Sequence, residues 1–86
     1  MTMNNFSAAP ESTIQTIKDY VNHGLEPGSF VRAVLENNLA MAFAKADIYN
    51  ERALKQIVTY VFNKIPHNSW GSPEAVENWL KRFGEK

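Results

Sequence analysis

An all-α fold of four helices is the class this sequence predicts, and three observations carry it. Pro27 to Asp47 is apolar or small nearly all the way round a helix, Asn50 to Ile65 carries a clean apolar stripe at helical spacing, and Ser72-Pro73-Glu74 opens a last amphipathic segment. The arrangement expected is a long central helical hairpin, with a short N-terminal helix before it and a short C-terminal helix closing one end.

Residues 1–11 carry Asn, Ser, Ala and Pro without a sustained period, so they read as a flexible N-terminal arm from which Phe6 can tuck onto the domain. The single helical domain then runs over 12–86. Ser12 with Gln15 three residues on reads as a capping box, and Ile14, Ile17, Tyr20 and Val21 recur at helical spacing. Gly24 is the stop, and Leu25 is placed to fold back against the last turn.

Pro27-Gly28-Ser29 opens the central helix, with Gly28 or Ser29 as the cap. On a 100° wheel Val31, Val34, Leu35, Asn38, Leu39, Ala42 and Ala46 share one face, while Ala33, Asn37, Ala40 and Ala44 share the opposite one. Large residues on one side and small ones on the other imply two packing distances. Asp47 to Asn50 holds two good N-cap residues where the stripe changes phase, so it reads as a tight turn, the alternative being one bent helix from Ser29 to Lys64. In the next helix Leu54, Ile57, Val58, Val61, Phe62 and Ile65 face the core, and Arg52, Lys55, Gln56, Thr59 and Asn63 face solvent. Pro66 to Gly71 is a loop. Val76, Trp79, Leu80 and Phe83 form the apolar face of the last helix, which with Trp70 makes an aromatic lid.

With 86 residues there is room for one domain with a limited core. The absence of cysteine excludes disulfides and thiolate metal sites. Nine Lys plus Arg against nine Asp plus Glu give a formal net charge of zero, which disfavours long-range steering toward nucleic acid or anionic membrane. No apolar run approaches the roughly 18 residues of a membrane span, and the start lacks a basic-then-apolar signal pattern. The chain therefore reads as soluble and not exported.

The strings Tyr20-x-x-x-Gly24-x-x-Pro27-Gly28-Ser29-Phe30-x-x-Ala33-Val34-Leu35-x-Asn37-x-Leu39, then Ala46-Asp47-x-x-Asn50, then Trp70-Gly71-Ser72-Pro73-x-x-Val76-x-x-Trp79, resemble a group of small bacteriophage and prophage proteins over about residues 17 to 80. These motifs carry no recognised chemistry. The resemblance implies a bacterial cytoplasm and an accessory role, of the kind exercised by binding a host protein, a nucleic acid or a signalling nucleotide.

Four sets of residues are candidates for function. Gly28, Ser29 and Arg32, with His23 nearby, have the types that hold phosphate or carboxylate at a helix N-terminus, although a serine-capped turn with a solvated arginine uses the same residues. The row Ala33, Asn37, Ala40, Ala44 suits either a close intrachain neighbour or a homo-oligomer interface. Asn38, centred on the large apolar face, needs a partner there, either an internal group or a polar anchor such as the matching Asn38 of a second chain. Arg52, Lys55 and Gln56 have side chains that read base edges, but with no dense basic patch they equally form a solvated face.

His23 and His67 lack acidic partners at metal-ligand spacing, and no Ser, His and acid combination has a motif around it, so no metal, no cofactor and no enzyme are expected. The expected function is a non-enzymatic module that oligomerises and binds a host protein. The alternatives are sequestration of a phosphorylated small molecule at Pro27 to Arg32 and DNA binding by a helix-turn-helix-like pair.

Overall fold

A computed structural model describes residues 9–84, and among them every regular element is helical. The order is α1 (Glu11–His23), α2 (Ser29–Leu35), α3 (Leu39–Lys45), α4 (Ile48–Arg52), α5 (Leu54–Lys64), a 3-10 turn (His67–Ser69) and α6 (Pro73–Gly84). The fold class is the expected one. The count is not, because each long arm of the predicted hairpin is two helices.

The central helix ends where its sequence offers neither Gly nor Pro. Asn37 takes a left-handed conformation, φ 63°, and its N–H bonds the Val34 carbonyl at 3.0 Å while that of Asn38 bonds the Ala33 carbonyl at 2.9 Å. This pair of bonds is a Schellman stop, for which Asn is the second choice after Gly. Asn38 then starts α3, its side chain accepting from the Met41 N–H at 3.1 Å. Two adjacent asparagines thus end one helix and begin the next.

Asp47 to Asn50 is likewise not a simple turn. Asp47 is the N-cap of α4, its carboxylate accepting from the Asn50 N–H at 2.8 Å. The Asn50 side chain in turn accepts the Thr13 hydroxyl at 2.6 Å, fastening α4 to α1. Ala53 separates α4 from α5, so neither a tight turn nor one bent helix from Ser29 to Lys64 describes the segment.

At the start, α1 begins at Glu11, with Pro10 at the cap position and no side-chain capping bond. The expected capping box does not form: Gln15 instead donates to Asp19 at 2.9 Å. Phe6 and most of the arm over 1–11 lie outside the described residues. Gly24 does stop α1, at φ 65°, but Leu25 is exposed rather than folded back. At the far end Ser72 caps α6 as expected, accepting from the Ala75 N–H at 3.1 Å.

The core gathers Ile17 and Tyr20 of α1, Phe30, Val31, Val34 and Leu35 of α2, Leu54, Ile57 and Val61 of α5, and Val76 and Trp79 of α6. Helix α2 is the hub, with only Ser29 and Arg32 outside the core, and a neighbour finishes its C-terminal end: the Gly71 N–H donates to the Leu35 carbonyl at 2.7 Å. That bond satisfies a carbonyl the helix itself leaves unpaired. Trp79 is core, its indole N–H donating to the Tyr20 carbonyl at 3.3 Å, and Phe83 meets its ring edge-on. The aromatic lid is real at these two rings. Trp70 is only half-buried, yet its indole N–H is enclosed and has no acceptor.

Candidate functional site

Helix α3, Leu-Ala-Met-Ala-Phe-Ala-Lys, has one buried residue, Ala42. Alanine there lets α3 pack closely on α2, and the phase that turns Ala42 inward turns everything larger outward. At 100° per residue, Leu39, Phe43, Ala40, Ala44 and Met41 follow one another round the remaining arc, leaving Lys45 as the only polar side chain. Leu39 is 47% exposed, Met41 44% and Phe43 54%. Ile48 and Tyr49, next along the chain, are exposed as well.

Leu39 and Phe43 do not stand alone. They form one wall of a groove of about 300 Å³ whose other wall is α5, through Leu54, Lys55, Val58 and Thr59. The walls are apolar except where Lys55 and Thr59 rim them. Further round α5, Lys55, Gln56, Thr59, Tyr60, Asn63 and Lys64 line a polar hollow of about 320 Å³. The two hollows share Lys55 and Thr59, so α5 presents an apolar flank and a polar, basic flank side by side.

The alanine row is not one surface. Ala33 is buried in the core, Asn37 is the left-handed residue of the helix stop, and Ala40 and Ala44 sit exposed on α3. The break at Asn37 separates buried Ala33 from the rest of the row, so Ala40 and Ala44 are its only alanines on the surface, with Asn37 exposed at the break itself. Asn38 is not a buried polar anchor either, since it is exposed and its side-chain oxygen is used in capping.

Arg32 is not a solvated arginine waiting for an anion. Its guanidinium donates from Nε to Glu36 at 2.8 Å, from Nη2 to Glu77 at 2.9 Å and from Nη1 to Glu26. These bonds, together with the nearby carboxylate charge, push its already high pKa further up, so it stays charged at any accessible pH. An incoming phosphate would have to displace carboxylates already in place. Gly28 caps α2 with its backbone only, and Ser29 is the first helical residue rather than the cap. The two line a shallow groove of about 330 Å³ with Thr13, Thr16, Lys45 and Asp47, and neither Arg32 nor His23 belongs to it. The four residues grouped in sequence are therefore not one site.

Arg52, Lys55 and Gln56 are all exposed, but Arg52 ends α4 while Lys55 and Gln56 belong to α5. Of the three, Lys55 and Gln56 line the polar hollow. The expected solvent face of the α5 stretch is found as such, and Phe62, assigned to its core stripe, is 60% exposed, meeting Trp70 edge-on and stacking on His67.

Among the described residues no group of three or more His, Cys, Asp or Glu side chains is gathered to hold a metal ion. No described helix is long and apolar enough to cross a membrane.

No family model, curated protein or solved structure matches the chain.

Proposed function

We propose that this chain is a small non-enzymatic interaction module that binds another protein through the α3–α5 groove. In the bacteriophage setting its sequence strings resemble, that partner is a host protein in the bacterial cytoplasm.

One observation carries the reading. A helix with a single buried residue, Ala42, shows Leu39, Met41 and Phe43 to solvent. Leaving three such side chains half in water forgoes burial worth about 1.5–3 kcal/mol for each one fully covered. Contiguous exposed apolar surface of this kind marks protein contact sites. Leu39 and Phe43, spaced i, i+4 along one wall of the groove, with Leu54 and Val58 on the other, also make the kind of apolar cleft that seats an amphipathic helix.

The test is affinity capture from bacterial lysate with the full chain and with the double variant Leu39→Ser, Phe43→Ser, both shown to be folded by circular dichroism. Captured protein is expected to fall at least tenfold in the variant. Equal capture by the two proteins would remove this surface from the function.

A further inference from the structure

We infer that the occupant of the α3–α5 groove is an acidic amphipathic helix supplied by another protein. This inference rests on the groove being the binding surface and names what fills it.

Charge is distributed unevenly along a chain whose net charge is zero. Residues 39–64, which contain α3, α4 and α5, carry Lys45, Arg52, Lys55 and Lys64 against Asp47 and Glu51, a formal +2, so the remainder carries −2. The acidic excess has its own centre, where Glu26, Glu36 and Glu77 converge on the single Arg32. Among the described residues every ion pair is made by that arginine, so Lys45, Arg52, Lys55 and Lys64 have no carboxylate partner.

One of those free cations borders the docking surface, and another lines the hollow beside it. Lys55 stands on the rim shared by the apolar groove and the polar hollow, Lys64 lines the hollow, and no acidic side chain lines either one. An α-helix laid with its apolar residues in the groove brings its flanking positions over Lys55. Acidic residues there gain a partner, and basic ones meet like charge, which is penalised across an interface.

The same argument disfavours a second copy of this chain. A two-fold dimer places the same patch on both subunits. Here it would set one positively charged face against another. Duplex nucleic acid would use the cations but leave Leu39, Met41 and Phe43 uncovered, and a few lysines neutralise few phosphates.

The experiment selects from an mRNA-display library of 16-residue helix-favouring peptides on the immobilised full chain, in parallel with a folded Lys55→Glu variant. Recovered wild-type binders are expected to be enriched in Asp and Glu beside apolar residues spaced i, i+3 or i, i+4. A synthesised binder should lose at least tenfold in affinity against Lys55→Glu and several-fold between 50 mM and 300 mM salt. Neutral or basic binders, or no binders, would overturn the inference. Lysate capture that still depends on Leu39 and Phe43 would meanwhile leave the docking surface standing. A concentration-dependent dimer seen by light scattering and abolished by Phe43→Ser would replace the acidic helix with a second copy. Binding of a 20-base-pair DNA duplex lost in Lys55→Glu, without peptide binding, would overturn both readings.

Discussion

The Tyr20 hydroxyl donates to the Ser69 carbonyl at 2.7 Å, joining the last turns of α1 to the 3-10 turn across 49 positions of sequence. The Tyr20 side chain is wholly buried, and the Tyr20 carbonyl takes the Trp79 indole N–H. One residue therefore fixes both the loop before α6 and the principal ring of α6. The Ser69 hydroxyl, donating to the Pro66 carbonyl at 2.6 Å, keeps the acceptor end of this linkage in place.

Tyr20→Phe is expected to destabilise the domain by about 1–3 kcal/mol, because it leaves a buried carbonyl without its donor while the ring still packs. For a domain of this size that is a fall of several degrees in Tm. Burial, aided by Glu26 and Glu36 and opposed by Arg32, pushes the Tyr20 phenol well above its ordinary value. The folded state therefore holds this proton more tightly than the unfolded chain. The contribution is complete below about pH 10, where both states are protonated, and is lost as pH climbs past that value and the unfolded chain ionises first. Thermal melts at pH 7 and pH 11 should show a smaller alkaline loss in Tyr20→Phe than in the wild type.

Gly24 is irreplaceable for two separate reasons. Its φ is 65°, and a Cβ added there would overlap Cβ, Cγ and Cδ2 of Phe83, atoms near that residue's backbone rather than at a free end. The left-handed conformation alone costs about 1–2 kcal/mol for a residue with a Cβ. Displacing an aromatic ring from a packed site adds a further 1–3 kcal/mol, roughly. Gly24→Ala should therefore lose several kcal/mol by chemical denaturation. Gly28→Ser is the contrast, since Gly28 has open space and an extended backbone at an N-cap, where a hydroxyl stabilises by a few tenths of a kcal/mol.

Much of the fold was legible because its signals are local. Ser72 before Pro73, Gly24 after α1 and the Leu54, Ile57, Val61, Ile65 stripe each announce themselves within one or two turns. The break at Asn37-Asn38 was not legible in that way. Two asparagines inside an apolar run fit opposite faces of one continuous helix, with Asn38 as a polar anchor, as well as a stop followed by a cap, and what decides between them is the phase in which α3 meets α2. The docking surface depended on the same decision: with one continuous helix Leu39 points into the core, and with a break it points out. Arg32 was found as a charge but not as a hub, since Glu77 reaches it from 45 positions away, beyond any local pattern.

If Asn37 and Asn38 are a stop and a start, substitutions at the first should follow backbone preference rather than side-chain chemistry. Asn37→Gly is expected to be neutral or to stabilise slightly, because glycine adopts φ 63° without strain. Asn37→Val should cost about 1–2 kcal/mol or more, since a β-branched residue is a poor occupant of that region. Urea titration of the three proteins distinguishes this from an anchoring asparagine, for which both changes would be comparably harmful.

Arg32→Ala removes three ion pairs at once and leaves Glu26, Glu36 and Glu77 facing one another. The site is near the surface and open to screening, so the expected loss is about 1–2 kcal/mol, shrinking as salt is raised and the carboxylates are shielded. Because the guanidinium is already occupied, calorimetry with inorganic phosphate or ATP should show no heat for the wild type. Saturable heat that disappears in Arg32→Ala would restore an anion site at this turn.

Neighbouring positions on α3 should respond in opposite ways. Ala42 is fully enclosed in the core, so Ala42→Leu overpacks it and is expected to cost about 1–3 kcal/mol. Phe43 is 54% exposed, and Phe43→Ser forfeits only the covered half of its ring, at most about 1.5 kcal/mol. If α3 carries its apolar arc for a partner and not for the core, Phe43→Ser should also lower binding of an apolar dye at pH 7 while leaving the folded helix content unchanged. Were the two substitutions equally damaging by denaturant titration, with no change in dye binding, Phe43 would be part of the core and the groove would lose its aromatic wall.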